Sequence, residues 1–210
     1  MRKLLITLAI LVGLFVAADF GLRAVAEGQA AKALQSSLEL SSKPSVSLGG
    51  FPFLVHLFAG SFPSVDLEDR RFVAQGVPFD RALITLRDVR FSSSELLGGR
   101  GGRISVAGGH GTATITAAAL TAVLRDEGAD VRVAFEAGKA RLSSNALGGR
   151  SAAARLRISA GKLILHSPLG GADLSLEVPQ VIRGVRYTGV RIEGDAAVLA
   201  FTIGRTTFAV

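Results

Sequence analysis

The chain has 210 residues, 49% of them hydrophobic, a formal charge of +7 and no cysteine. Without cysteine there is no disulfide, no thiolate metal site and no lipid-modified cysteine anchor. The basic residues are dispersed, Trp is absent and Tyr occurs once, which argues against nucleic acid as a partner and for an anionic membrane surface.

Met1-Arg2-Lys3 precedes Leu4 to Ala18, fifteen residues with Thr7 as the only polar interruption. A short positive start and an apolar run of this length form an export signal. Fifteen residues of helix cover about 22 Å, short of a hydrocarbon core of roughly 30 Å. Extension through Asp19 to Leu22, with Arg23 snorkelling to the far interface, makes the run long enough to span. Ala24-Val25-Ala26 offers a small-x-small cleavage site. A cleaved signal and a retained anchor both fit, and either sends the rest of the chain outward. Residues 1–23 are thus a signal or anchor, and residues 24–210, about 180 residues, suit a single domain with a sizeable core. Mean hydropathy is +0.42, high for a soluble domain, and the N-terminal segment accounts for only part of the excess.

From Ala24 to Leu40 small and apolar residues (Ala26, Ala30, Ala33, Leu34, Leu38) recur at helical steps, and Pro44 stops the helix. Gly49 to Phe62 then concentrates Phe51, Phe53, Phe58 and Phe62, four of the twelve phenylalanines. Pro52 pushes Phe51 towards an extended conformation, and Phe53 to Phe58 is a short, almost wholly apolar segment ended by Gly60. It either plugs a core or forms the apolar mouth of a site for a greasy ligand.

Most of the remainder alternates as strand: Ser45–Leu48, Val65–Glu68, Leu83–Phe91, Asp130–Glu136, Lys139–Ser143, Ala153–Ser159, Lys162–His166, Asp173–Val178, Val185–Ile192 and Ala197–Phe208. Arg103–Ala107 and Thr112–Thr116 read as a strand pair around a Gly108–Gly111 turn. Ser92 to Glu95 resembles a capping box, Gly98 to Gly102 a loop, and Pro179 to Gly184 a connection. One more helix runs from Ala117 to Glu127, capped by Thr116, with Leu120, Val123 and Leu124 inward and Gly128 after it. Two helices and about ten antiparallel strands predict an α+β architecture, a long curved sheet wrapped against helices.

No catalytic constellation emerges. His56, His110 and His166 lie far apart without partners at metal-ligand spacing. There is no Gly-x-Ser-x-Gly elbow, no phosphate loop and no dinucleotide fingerprint. Asp66 and Glu68 share a strand face, as paired catalytic carboxylates sometimes do, but beside Arg70 and Arg71 they read as a solvated, charge-balanced edge.

Gly50-Phe-Pro-Phe-Leu54, followed by Leu57, Gly60 and Val65-Asp-Leu67, resembles the LmeA-like phospholipid-binding family of actinobacterial cell envelopes. Gly111-Thr-Ala-Thr-Ile115 and the helix after it lend weaker support, and the C-terminal third matches in pattern only. The resemblance implies a non-enzymatic phospholipid-binding protein on the outer side of the plasma membrane, without a cofactor. In one branch it implies a role in elongating lipoglycan mannan. It also implies a tubular lipid-binding fold enclosing a lipid tunnel. The wall or entrance would then comprise Phe51, Pro52, Phe53, Leu54, Leu57, Phe58 and Phe62, with Arg70, Arg71 and Arg81 nearest for a headgroup phosphate. On that reading Phe53→Asp lowers lipid occupancy while the fold survives. The competing expectations are an accessory protein that contacts a membrane glycosyltransferase with no lipid inside, and an enzyme on lipid or glycan. A large internal apolar pocket favours the first reading over the second.

Overall fold

A computed structural model describes residues 2–37, 43–92, 103–144, 151–166, 173–179 and 184–209. The capping box at Ser92–Glu95, the Gly98–Gly102 loop, the end of the first helix near Leu40 and most of the Pro179–Gly184 connection lie outside the described residues. Three helices and twelve strands are described, in open sheets not closed into a barrel, and the class is α+β.

Helix α1 (Arg2–Ser37) is one continuous helix through the apolar run and the segment predicted to start at Ala24. β1 (Ser45–Leu48) and α2 (Phe53–Ala59) follow. β2 (Ser61–Ala74) and β3 (Val77–Phe91) are longer than their alternation suggested. Each takes in a proline, Pro63 or Pro78, within its first three residues, where a missing N–H is tolerated. β4 (Arg103–Thr116) leads into α3 (Ala117–Asp126). After it come β5 (Arg132–Glu136), β6 (Lys139–Ser143), β7 (Ser151–Ser159), β8 (Lys162–His166) and β9 (Leu174–Glu177). β10 (Val185–Glu193), β11 (Ala196–Ile203) and β12 (Thr206–Ala209) end the chain, a break at Gly204-Arg205 dividing the predicted last strand.

One sheet has the order β1-β2-β3-β4-β11-β10, with β12 also on β4, and the other the order β5-β6-β7-β8-β9. The predicted turn at Gly108–Gly111 is instead the middle of β4, which pairs with β11 from Gly109 onward through Gly109↔Ile203, His110↔Thr202 and Gly111↔Phe201. Close approach explains the glycine: a Cβ on Gly111 would stand 2.5 Å from the Leu83 carbonyl oxygen and 2.5 Å from the Phe201 ring. Three two-residue turns (Gln75-Gly76, Ala137-Gly138 and Ala160-Gly161) have positive φ at both positions, as type I′ hairpins require.

The chain divides into two compact units, residues 1–67, 85–108 and 205–210 in one and residues 68–84 and 109–204 in the other. In the first, the buried core joins Ala31 of α1, Val46 and Leu48 of β1, and Phe53 of α2 to Phe62, Val65, Val89 and Val106 of the long strands. In the second, Thr116 Oγ1 accepts the Ala119 N–H at 3.2 Å and caps α3. Leu120, Thr121, Val123 and Leu124 are buried. Thr121 is the polar member of that face: it accepts the Val133 N–H at 2.9 Å and donates to the Ala117 carbonyl at 2.8 Å, tying α3 to β5.

Candidate functional site

In the first unit the aromatic stretch around α2 divides by helical period. Phe53 is fully buried and stacks on Phe62 at 5.5 Å, which stacks in turn on Phe91 at 5.5 Å. Leu54 and Leu57 pack partly buried against the same core. Phe51, Val55 and Phe58 point the other way and are exposed by 62%, 57% and 73%. Pro52 is the residue before the helix, in extended conformation, and its peptide bond with Phe51 is cis. The core expectation for this stretch thus describes its inward residues, while Phe51, Val55 and Phe58 leave an apolar surface uncovered. The consequence for Phe53 is a correction: an aspartate there would strand a carboxylate in a closed aromatic stack, so Phe53→Asp tests the core. His56 also has a structural role, its Nδ1 lying 3.2 Å from the Ser61 carbonyl oxygen and its ring against Gly50 and Phe62.

α2 lacks a side-chain cap from its own N-cap residue, Pro52. The acceptor comes from α1: Asp19, 2% exposed, takes the N–H groups of Phe53 at 2.9 Å and Leu54 at 2.8 Å. Further along α1, Arg23 pairs with Glu27 at 2.9 Å and reaches Ser47 Oγ at 3.3 Å. Glu27 accepts the Leu48 N–H at 2.8 Å. The signal that identifies Asp19 is visible in the sequence, since it is the only charged residue between Leu4 and Leu22. Such a carboxylate is costly unless something receives it.

The predicted headgroup arginines lie in the second unit. Arg70 Nε meets Glu68 Oε1 at 2.7 Å, and Arg81 reaches the same oxygen at 3.0 Å. The Arg70 hydrogen bond, with that of Arg81 second, holds the Glu68 carboxyl below its usual range. Arg71, beside them, is exposed with φ of 54°. A lipid phosphate would have to compete with Glu68 for Arg70 and Arg81. Asp66 accepts from the Thr85 hydroxyl at 2.6 Å, so Asp66 and Glu68 serve local contacts. A third exposed cluster joins His166 and Arg157 to Asp173, whose carboxyl is held below its usual range by the His166 hydrogen bond first and the Arg157 contact second. Among the described residues no group of three or more His, Cys, Asp or Glu is placed to hold a metal ion.

Also in the second unit is an apolar seam between the sheets. Val77, Phe79, Ile115 and Leu199 face it from β3, β4 and β11, with Leu163 and Leu176 opposite on β8 and β9, and Val178-Pro179 at the edge. The open space is about 10 Å³, room for about one water. A tunnel of acyl-chain size does not exist in this seam as it stands. Sequence reasoning assigned none of its residues to a binding site, because strand alternation marks them only as inward.

The described residues thus form an α+β scaffold of open antiparallel sheets, with an apolar seam and ion pairs on the exposed strands beside it. The family model described as LmeA-like phospholipid-binding matches residues 17–202. The chain belongs to that family, which supports a phospholipid-binding role. No curated protein and no solved structure matches it significantly.

Proposed function

We propose that this is an exported phospholipid-binding protein of the cell envelope, held at the outer face of the plasma membrane by the N-terminal half of α1. It receives acyl chains in the apolar seam between β3-β4-β11 and β8-β9, in support of lipid transfer or lipoglycan elongation. The observation that carries this reading is the family match, which starts at residue 17 and runs to residue 202. The wholly apolar lining of the seam supports the location. Each methylene moved from water into such a lining contributes about 0.8 kcal/mol, so ten contribute about 8 kcal/mol. Arginines at the exposed edges supply phosphate contacts.

The narrowness of the seam favours a second reading, an accessory protein that contacts a membrane glycosyltransferase and carries no lipid. One experiment separates them. The full chain, purified from an envelope-containing host, is weighed by native mass spectrometry and then labelled with a phosphatidylglycerol carrying a diazirine in its acyl chain. A stoichiometric phospholipid mass, with crosslinks in the peptides holding Val77–Phe79 and Leu176–Pro179, is expected. A protein that stays lipid-free after incubation with vesicles overturns the proposal in favour of the accessory reading. Bound lipid with crosslinks elsewhere overturns the seam alone.

A further inference from the structure

We propose that the exposed apolar surface formed by Val55 and Phe58 of α2 and by Phe51 just before it docks on a phospholipid bilayer at the point where α1 leaves it, and that Asp19 clamps α2 at that depth. The inference rests on α1 being the membrane anchor. Between Gly13 and Ala18 five of six residues are exposed and Val16 is half-buried. Six successive residues cover the whole circumference of a helix, so this stretch of α1 is apolar on every side. A protein groove covers one side of a helix, whereas hydrocarbon covers all of them. The occupant is therefore a bilayer.

Depth follows from chain continuity. Asp19 comes directly after the apolar run that ends at Ala18, and its two hydrogen bonds fix the start of α2 beside that level. Exposed Phe20 and Leu22 extend the apolar surface of α1 about one turn beyond. α2 is thus held at the edge of the hydrocarbon with Phe51, Val55 and Phe58 uncovered, while Phe53, Leu54 and Leu57 face the protein. From Gly49 to Phe62 the only ionisable side chain is His56, so no charge opposes entry into the interface. Among the described residues no helix is long and apolar enough to cross a membrane.

Absence of cysteine makes the test direct. Leu14→Cys, Val55→Cys and Phe58→Cys, all at exposed positions, are made singly in the full chain, labelled with an environment-sensitive fluorophore and reconstituted into phosphatidylglycerol–phosphatidylcholine vesicles. Lipids carrying a nitroxide on the acyl chain are expected to quench all three labels, with blue-shifted emission at 55 and 58. Quenching at 14 but at neither 55 nor 58 overturns the docking and leaves the anchor standing. Quenching at none overturns both. Self-quenching between copies labelled at 55, or between copies labelled at 58, without quenching by lipid, assigns the face to a second copy of this chain and overturns the proposal.

Discussion

Tyr187 is the chain's one tyrosine, and its surroundings make a measurable claim. Its hydroxyl donates to the Pro179 carbonyl at 2.8 Å and its ring meets Phe201 edge-on at 5.7 Å. Burial disfavours the phenolate, and the pKa is pushed up to about 12. In the unfolded chain the phenol titrates near its ordinary value of about 10. Below that pH both states hold the proton and Tyr187 adds no pH dependence. Between about 10 and 12 the unfolded state loses it first, so stability falls as pH rises. Titration of tyrosinate absorbance is expected to show a native midpoint near 12, and Tyr187→Phe to remove this contribution to the alkaline loss of stability. A native midpoint near 10 would mean that the ring faces water.

At the scale of elements, legibility depends on whether local residues or distant neighbours set the conformation. The two-residue turns at Ala137-Gly138 and Ala160-Gly161 fall between strands that the alternation predicts to within two residues, because turn and alternation agree locally. β4 departs from its predicted form because Gly108–Gly111 looks like a turn, and what makes it strand lies on β3 and β11. Phe51 to Phe62 is legible as important but not as two-faced, since a seven-residue helix is too short for periodicity to fix its inward side. The seam cannot be read from the sequence at all, since which inward residues of two sheets meet is a matter of topology. The close packing around β4 has a sharp consequence. Gly111→Ala is expected to cost about 1–3 kcal/mol, because its Cβ has neither backbone nor ring room. Gly189→Ala, where nothing lies within 4 Å, should stay within about 0.5 kcal/mol. Denaturant unfolding of the two variants checks the contrast, and equal costs would show that β3 and β11 relax around the new methyl.

At the scale of the whole molecule, the issue is whether the N-terminal segment is removed. Cleavage after Ala26 would leave a chain beginning at Glu27 and take away Asp19 and Arg23. The Phe53 and Leu54 N–H groups would lose their acceptor, and Glu27 and Ser47 would lose Arg23. An unsatisfied buried donor costs about 1–3 kcal/mol, a large share of the roughly 5–15 kcal/mol typical of a folded protein. The inward stripe of α1 also begins before the cleavage site, Val16, Asp19 and Arg23 being less exposed than their neighbours and leading at helical spacing to the half-buried Ala26, Ala30 and Leu34. The matched family region starts at residue 17 and so includes Asp19. The segment packs against the domain through Asp19 and Arg23, and we propose on that ground that it is retained. Intact mass and N-terminal sequencing of protein taken from the membrane fraction are expected to show a chain that still contains Asp19. A mature chain starting at Glu27, folded and lipid-loaded, would show that the clamp is dispensable. Asp19→Ala in the full chain gives the graded version: faster hydrogen exchange at the Phe53 and Leu54 amides, with exchange in α3 and β5 unchanged.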